Sequence, residues 1–221
     1  MTATSHIDRQ DFIMRTFGCD AAVASAILHH ASERHYEPRT IIIQQGNDAA
    51  HVFLMVQGQA RAFLYSMDGR AVLLHEFGPG DIFGGLDSAA QEPEVAAVDD
   101  VTAATFRTMD FVSLAERHGC VGLTLSRMLM ARLRSTTERI YQRTTLSSFG
   151  RVYAELLRMA KMGDGRLIQP VPIFSELAGR VHTTRETVSR AISALERRGL
   201  INREGDAMTI LAPQRLEELV V

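Results

Sequence analysis

From residue 36 to about residue 109, short apolar runs alternate with turn signals at close intervals, a pattern that suits many short strands and no long helix. Ile41-Ile42-Ile43 leads into Gly46-Asn47-Asp48, and Val52-Phe53-Leu54-Met55-Val56 leads into Gly58. Ala60, Ala62 and Leu64 alternate up to Asp68-Gly69, and Val72-Leu73-Leu74 runs to Gly78-Pro79-Gly80. Residues 95–98 and 102–106 close the series. Such a set predicts a β-barrel or jelly roll. Ahead of it, Asp20 is placed to cap a helix over residues 21–35, with Val23, Ile27 and Leu28 on one face.

The pattern turns helical from residue 110 to about residue 162. No proline or internal glycine interrupts residues 123–149, and Leu129, Leu133, Thr136 and Ile140 recur at coiled-coil spacing. Because the seam is polar at Thr136 and flanked by Arg132, Arg134, Arg139 and Arg143, a lone helix gains little from it. A symmetric dimer is the expected use, and a helix packed on its own barrel is the alternative.

With 221 residues, the chain can bury a sizeable core without staples. Its net charge of −2 hides an asymmetry: residues 1–120 carry 8 basic against 16 acidic side chains, residues 121–162 carry 8 against 2, and residues 163–221 carry 8 of each. A basic middle joined to an acidic half suggests an anionic partner reached by one region only. The longest uncharged stretches fall short of a bilayer span, and residues 1–10 lack a signal-peptide pattern, so a cytoplasmic chain with no membrane partner is expected. Cys19 and Cys120 are too few for a four-cysteine cluster or zinc site and are expected to be buried, inert thiols.

After Met162-Gly163-Asp164-Gly165 breaks the helical pattern, Pro170 and Pro172 bracket a short strand-like segment. Ser175-Glu176-Leu177-Ala178-Gly179-Arg180-Val181 then reads as a short helix, His182-Thr183-Thr184 as a turn, and residues 185–198 as a second helix capped by Thr184. Val188, Ala191, Ile192 and Leu195 form its apolar stripe, and Gly199 stands where a left-handed cap is wanted. Two strand-like runs around Glu204-Gly205-Asp206 complete a winged helix-turn-helix. Arg185, Glu186 and Arg190 leave the second helix away from that stripe. Arginine can bond guanine O6 and N7, and glutamate can accept from cytosine N4, each worth roughly 1–3 kcal/mol of discrimination. Thr183, Thr184 and Ser189 are candidates for holding phosphates beside the helix N-terminus. The bland alternative makes Glu186 and Arg190 an ion pair on a solvated face.

Arg185-Glu186-Thr187-Val188-Ser189-Arg190 resembles the recognition helix of the CRP/FNR family of bacterial transcription regulators. The rest of residues 20–212 fits the family in order, with Gly46, Gly58, Gly69 and Gly78-Pro79-Gly80-Asp81 at turns, a long helix, then Gly150-Arg151. The resemblance implies an α+β chain. A jelly-roll effector domain with an N-terminal helix would occupy residues 1–110, a dimerisation helix 111–148, and a winged helix-turn-helix domain 149–221. It also implies a homodimer on palindromic double-stranded DNA, half-sites similar to TGTGA, and RNA polymerase as a further partner. His182 departs from the glycine usual at the turn, which is expected to be tighter or differently hydrated.

Family members that bind cyclic AMP carry a cassette of roughly Gly-Glu-Leu followed by Arg-Ser-Ala or Arg-Thr-Ala. The matching residues here are Gly84-Gly85-Leu86 and Glu94-Val95-Ala96, so Gly85 replaces the acid, Glu94 the arginine and Val95 the hydroxyl. A carboxylate facing a phosphate is repulsive, and Asp87 and Glu92 add negative charge, so cyclic AMP held in the usual way is disfavoured. Thr136-Thr137 matches the family's nucleobase-contacting Thr-Ser pair, or simply tolerates a polar seam. Cyclic di-GMP or another nucleotide could draw on Arg61, Arg70, Arg132 or Arg134. A regulator without any effector is the other alternative. The histidines show no metal-ligand spacing and no cysteine stands where a haem-binding relative places its ligand, so neither haem nor an iron–sulfur cluster is expected. No GxSxG, HExxH or phosphate-cradling loop points to an enzyme.

Overall fold

The computed structural model describes residues 8–47, 50–65, 67, 71–86 and 93–220, and the chain divides into two compact units, Met1–Arg132 and Leu133–Val221. The first unit opens with α1 (Arg9–Phe17) and α2 (Ala21–His29). Asp8 caps α1 by accepting from the Gln10 and Asp11 N–H groups, and Asp20 caps α2 by accepting from Val23, as its sequence position suggests. The helix expected to reach residue 35 stops at His29. Ser32–Tyr36 is instead β1, paired antiparallel with Val101–Arg107. Its polar side chains are almost all exposed, so no apolar alternation marks it as a strand.

The remaining strands are β2 (Ile41–Ile43), β3 (His51–Gln57), β4 (Ala60–Tyr65), β5 (Ala71–Phe77), β6 (Ile82–Gly84), β7 (Glu94–Ala97) and β8 (Val101–Arg107). They form two four-stranded antiparallel sheets, in the orders β1-β8-β3-β6 and β2-β7-β4-β5. The unbroken apolar run of β3 follows from burial on both faces. Phe53 and Met55 enter the core between the sheets, whereas Val52 and Leu54 face a second core with Ile13, Phe17, Ala24, Ile27, Phe111 and Val121. The adjacent β8 splits in the same way: Val101 and Ala103 point one way, Ala104 and Phe106 the other. That second core is closed by α3 (Thr108–Arg117) and the first turns of α4 (Gly119–Thr145).

Leucine, threonine and arginine carry α4 to Thr145 without a glycine or proline stop. A new helix, α5 (Ser148–Lys161), starts because Ser147 accepts from the Gly150 N–H and supplies a cap. In the second unit α5 packs with β9 (Leu167–Ile168), α6 (Phe174–Arg180), α7 (Arg185–Arg197), the hairpin β10 (Ile201–Glu204) and β11 (Ala207–Ile210), and α8 (Pro213–Glu217). The strand expected between the two prolines lies just before them, where Leu167 and Ile168 pair with Thr209 and Met208. Proline has no N–H for the ladder, so pairing ends there. The core of this unit gathers Val152, Leu156, Leu177, Val188, Ala191, Ile192, Leu195, Met208 and Ile210.

Candidate nucleic-acid interface and effector pocket

Thr184 has extended backbone angles and its Oγ1 accepts from the Thr187 N–H at 3.2 Å, which starts α7. Val188, Ala191, Ile192 and Leu195 are fully buried, so the 3.6-residue period sends Arg185, Glu186, Ser189 and Arg190 outward, and all four are exposed. Thr183 is half-buried beside them. Arg190 Nη2 donates to Thr187 Oγ1 at 3.3 Å. The Glu186 carboxyl is held below its usual range by its own backbone N–H and the Thr184 hydroxyl, with the charges of Arg185 and Arg190 adding to the effect. An ionised acceptor and two guanidinium donors therefore stand together at the start of one helix. At its far end Gly199 takes a φ of 63°, the left-handed cap expected there.

His182 closes α6 in that same left-handed region, with φ 50°. The Thr183 N–H reaches the Ala178 carbonyl at 3.0 Å and the His182 N–H reaches Gly179 at 3.4 Å, the paired bonds of a Schellman turn. His182 thus completes a turn that usually takes glycine and places an imidazole on it. Arg151 secures this turn. Its Nε donates to the Val181 carbonyl at 2.9 Å and its Nη2 to the His182 carbonyl at 3.3 Å, while its Nη1 donates to the Leu146 carbonyl at 3.1 Å. One side chain joins the break between α4 and α5 to the turn before α7. In the sequence Arg151 stands out only through the family match, since carbonyl acceptors leave no mark there.

The expected effector residues fall into several settings. Gly84 ends β6 opposite Val52 at φ 106°, and a Cβ there would collide with the His51 carbonyl, so strand packing alone demands glycine. Gly85 offers its carbonyl to the Thr108 hydroxyl at 3.3 Å, and Leu86 is exposed. Glu94 and Val95 lie on β7 in the other sheet, with Val95 buried between the sheets. The Glu94 carboxylate accepts from Tyr65 Oη at 3.2 Å, and burial and the Glu94 charge push that phenol up. Asp87, Glu92, Gly69 and Arg70 lie outside the described residues.

Of the remaining candidate cations, Arg61 donates to Glu76 at 2.9 Å. Arg132 donates to the Ile82 carbonyl, stands 3.8 Å from Asp81 and covers the Phe77 ring at 5.1 Å from its centroid. Burial lowers its guanidinium from the usual range and Asp81 partly restores it. Arg134 is exposed. Thr136 and Thr137 are exposed on the stretch of α4 that belongs to the second unit, where the Thr136 hydroxyl accepts from Arg139 at 3.3 Å. Leu129, Leu133 and Ile140 on the same helix are 49%, 60% and 61% exposed in the single chain. Among the described residues, no three His, Cys, Asp or Glu side chains gather to hold a metal ion, and no helix is long and apolar enough to cross a membrane.

Residues 33–118 match the cyclic nucleotide-binding domain family, and residues 150–219 match the Crp-like helix-turn-helix domain family. The chain is 28% identical over 195 residues to the cyclic AMP receptor protein of Thermus thermophilus, covering 87% of this chain and 89% of that protein. It is 27% identical to the cAMP-activated global transcriptional regulator Vfr of Pseudomonas aeruginosa, covering 83% and 91%. Among solved structures, the CooA mutant of Carboxydothermus hydrogenoformans shares the fold with a TM-score of 0.83 at 18% identity, over 95% of both chains. The c-di-GMP responsive regulator CLP of Xanthomonas campestris shares it with a TM-score of 0.75 at 22% identity, over 86% of this chain and 99% of that one. With a jelly roll, a long helix and an exposed Arg-Glu-Arg set on a capped helix-turn-helix, this chain belongs to the CRP/FNR family of DNA-binding transcription regulators.

Proposed function

We propose that the protein is a homodimeric regulator that reads a palindrome of TGTGA-like half-sites with Arg185, Glu186 and Arg190. Thr183, Thr184 and Ser189 position α7 on the phosphate backbone. The observation that carries this reading is the joint exposure of those three charged side chains on the first two turns of a helix whose opposite face is fully buried. Leu129, Leu133, Thr136 and Ile140 supply the dimer seam, and their exposure in the single chain supports that use. Dimerisation would set two copies of α7 one helical turn of DNA apart, and RNA polymerase would be met on the same promoter.

The jelly roll does not receive cyclic AMP in the usual way under this reading, because Glu94 stands where a phosphate needs a cation. A second reading, a regulator competent without effector, is supported by the internal pairing of Glu94 with Tyr65 and of Arg132 with Ile82 and Asp81. Cyclic di-GMP, to which the Xanthomonas relative responds, is the nucleotide alternative.

Fluorescence anisotropy on a TGTGA-N6-TCACA duplex at fixed salt tests these readings, without ligand and with cyclic AMP, cyclic GMP or cyclic di-GMP. Tight binding without ligand supports the effector-free regulator, and binding with one nucleotide alone names the effector. Arg185→Ala should weaken discrimination at one guanine by about 1–3 kcal/mol. Specificity that survives that change overturns the assignment of the reading residues.

A further inference from the structure

A cavity of about 180 Å³ lies between the N-terminal helices and the outer face of the β1-β8-β3-β6 sheet. Phe12 and Ile13 of α1, Leu28 of α2, Ala31 just after it, and Val56 and Ala104 of the sheet form its apolar wall. Phe53, Met55 and Ala103 of the same two strands point the other way, so the cavity is separate from the jelly-roll interior that holds Val95. Phe12, Leu28, Ala31 and Val56 stay half-buried around the hollow. Interiors packed like organic crystals leave few voids larger than a water molecule, and an apolar one stays dry until an apolar guest fills it. Arg9 and Glu33 complete the wall and are its exposed members, so they mark the mouth. Arg9 Nη2 donates to Glu33 Oε1 at 2.8 Å, and His35 Nε2 stands 3.3 Å from the same oxygen. Both nitrogens crowd onto Oε1, and among the described residues Oε2 accepts no hydrogen bond.

We propose that this cavity binds an uncharged small molecule with a one-ring body and a single O–H or N–H donor, the ring against Phe12, Leu28 and Val56 and the donor on Glu33 Oε2. The apolar wall takes the hydrocarbon, and the open carboxylate oxygen takes the donor at the mouth. A charged end gains nothing there, because an anion meets Glu33 and a cation meets Arg9. A cavity of about 150 Å³ lined by Leu, Ile and Phe takes benzene, so the volume here admits a ring with a short substituent. Benzyl alcohol has that form, and toluene is the same body without the donor. Ile13 and Ala104 also belong to the core closed by α3 and the first turns of α4, so a bound guest stabilises the first unit. The site rests on neither the DNA-reading residues nor the cyclic-nucleotide cassette.

The test titrates the full-length protein with benzyl alcohol and with toluene, by calorimetry and by methyl NMR of isoleucine, leucine and valine. Benzyl alcohol should saturate a single site per chain with a Kd on the order of 1 mM or below. The methyls of Ile13, Leu28 and Val56 should shift, while those of Ile43, Val95 and Val101 between the sheets stay in place. Glu33→Ala should weaken benzyl alcohol at least about tenfold more than toluene, because only the alcohol loses a charged acceptor. Ala31→Leu should weaken both by at least about tenfold, because the added side chain fills the hollow. Absence of saturable binding, shifts confined to the sheet interior, or equal losses of the two molecules in Glu33→Ala overturn the proposal. The wild-type shift map is decisive by itself, so the result stands whether or not a variant folds.

Discussion

Arg151 holds His182 by the backbone: its Nη2 donates to the His182 carbonyl at 3.3 Å while the same guanidinium reaches Val181 and Leu146. The turn that presents α7 and the break that ends α4 therefore share one donor. His182 needs such support, because a non-glycine residue in the left-handed region costs about 1–2 kcal/mol.

Removing that donor should loosen the whole second unit. In Arg151→Ala three carbonyls lose a charged hydrogen bond, and an unsatisfied buried acceptor costs about 1–3 kcal/mol. The half-buried setting lets water replace part of the loss, so a net destabilisation of about 2–3 kcal/mol is expected in urea unfolding. Arg151→Lys should recover only a fraction, because an ammonium cannot span three acceptors in a planar fork.

The imidazole of His182 should make stability depend on acid. Burial is the largest cause of its lowered pKa, and Arg143, Arg139 and Arg151 add repulsion. The unfolded chain therefore binds the proton more readily than the folded one, so stability rises with pH up to the unfolded imidazole range near 6.5 and falls as the pH drops below it. His182→Asn tolerates the left-handed backbone and should abolish that slope. His182→Gly should do so while raising stability by about 1 kcal/mol. Thermal midpoints between pH 5 and 8 check both; an unchanged acid slope in either variant would assign it to another group.

If the proposed dimer forms, Leu133→Glu should split it. Burying a leucine side chain is worth about 1.5–3 kcal/mol, and a symmetric seam loses two copies. The dimer Kd should then rise by about two to four orders of magnitude in sedimentation equilibrium. Palindrome affinity should fall with it, while the fold of each chain, read by circular dichroism, stays unchanged because Leu133 is 60% exposed in the single chain.

Rebuilding the phosphate cassette should restore cyclic AMP. Glu94→Arg combined with Gly85→Glu removes a repulsive carboxylate and adds charged hydrogen bonds of about 1.5–3 kcal/mol each. Calorimetric affinity for cyclic AMP should improve by at least about tenfold over the wild type. An unchanged affinity would mean that residues 85 and 94 do not face the nucleotide.

The helix-turn-helix was legible to within a residue at each end because its rules are local: Thr184 caps, Gly199 terminates, and four apolar positions define a single face. The strands of the jelly roll were legible where one or both faces are buried, as in β3 and β8. β1 was misread as helix because it is a polar, exposed partner that only the neighbouring β8 makes into a strand. α1 was missed although Asp8 and Gly18 bracket it with a cap at each end.

Local periodicity and capping, written in the order of residues, determined the jelly roll and the helix-turn-helix, and the family resemblance marked the altered cassette. Tertiary structure alone decided what lies beside what. It paired Arg151 with carbonyls on the turn before α7, engaged Arg132 over Phe77, and gave Glu94 its tyrosine donor. The physical reason is range: capping and periodicity act within a few residues of chain, whereas a hydrogen bond or ring contact needs only a few ångströms of space and is blind to the sequence distance between its partners.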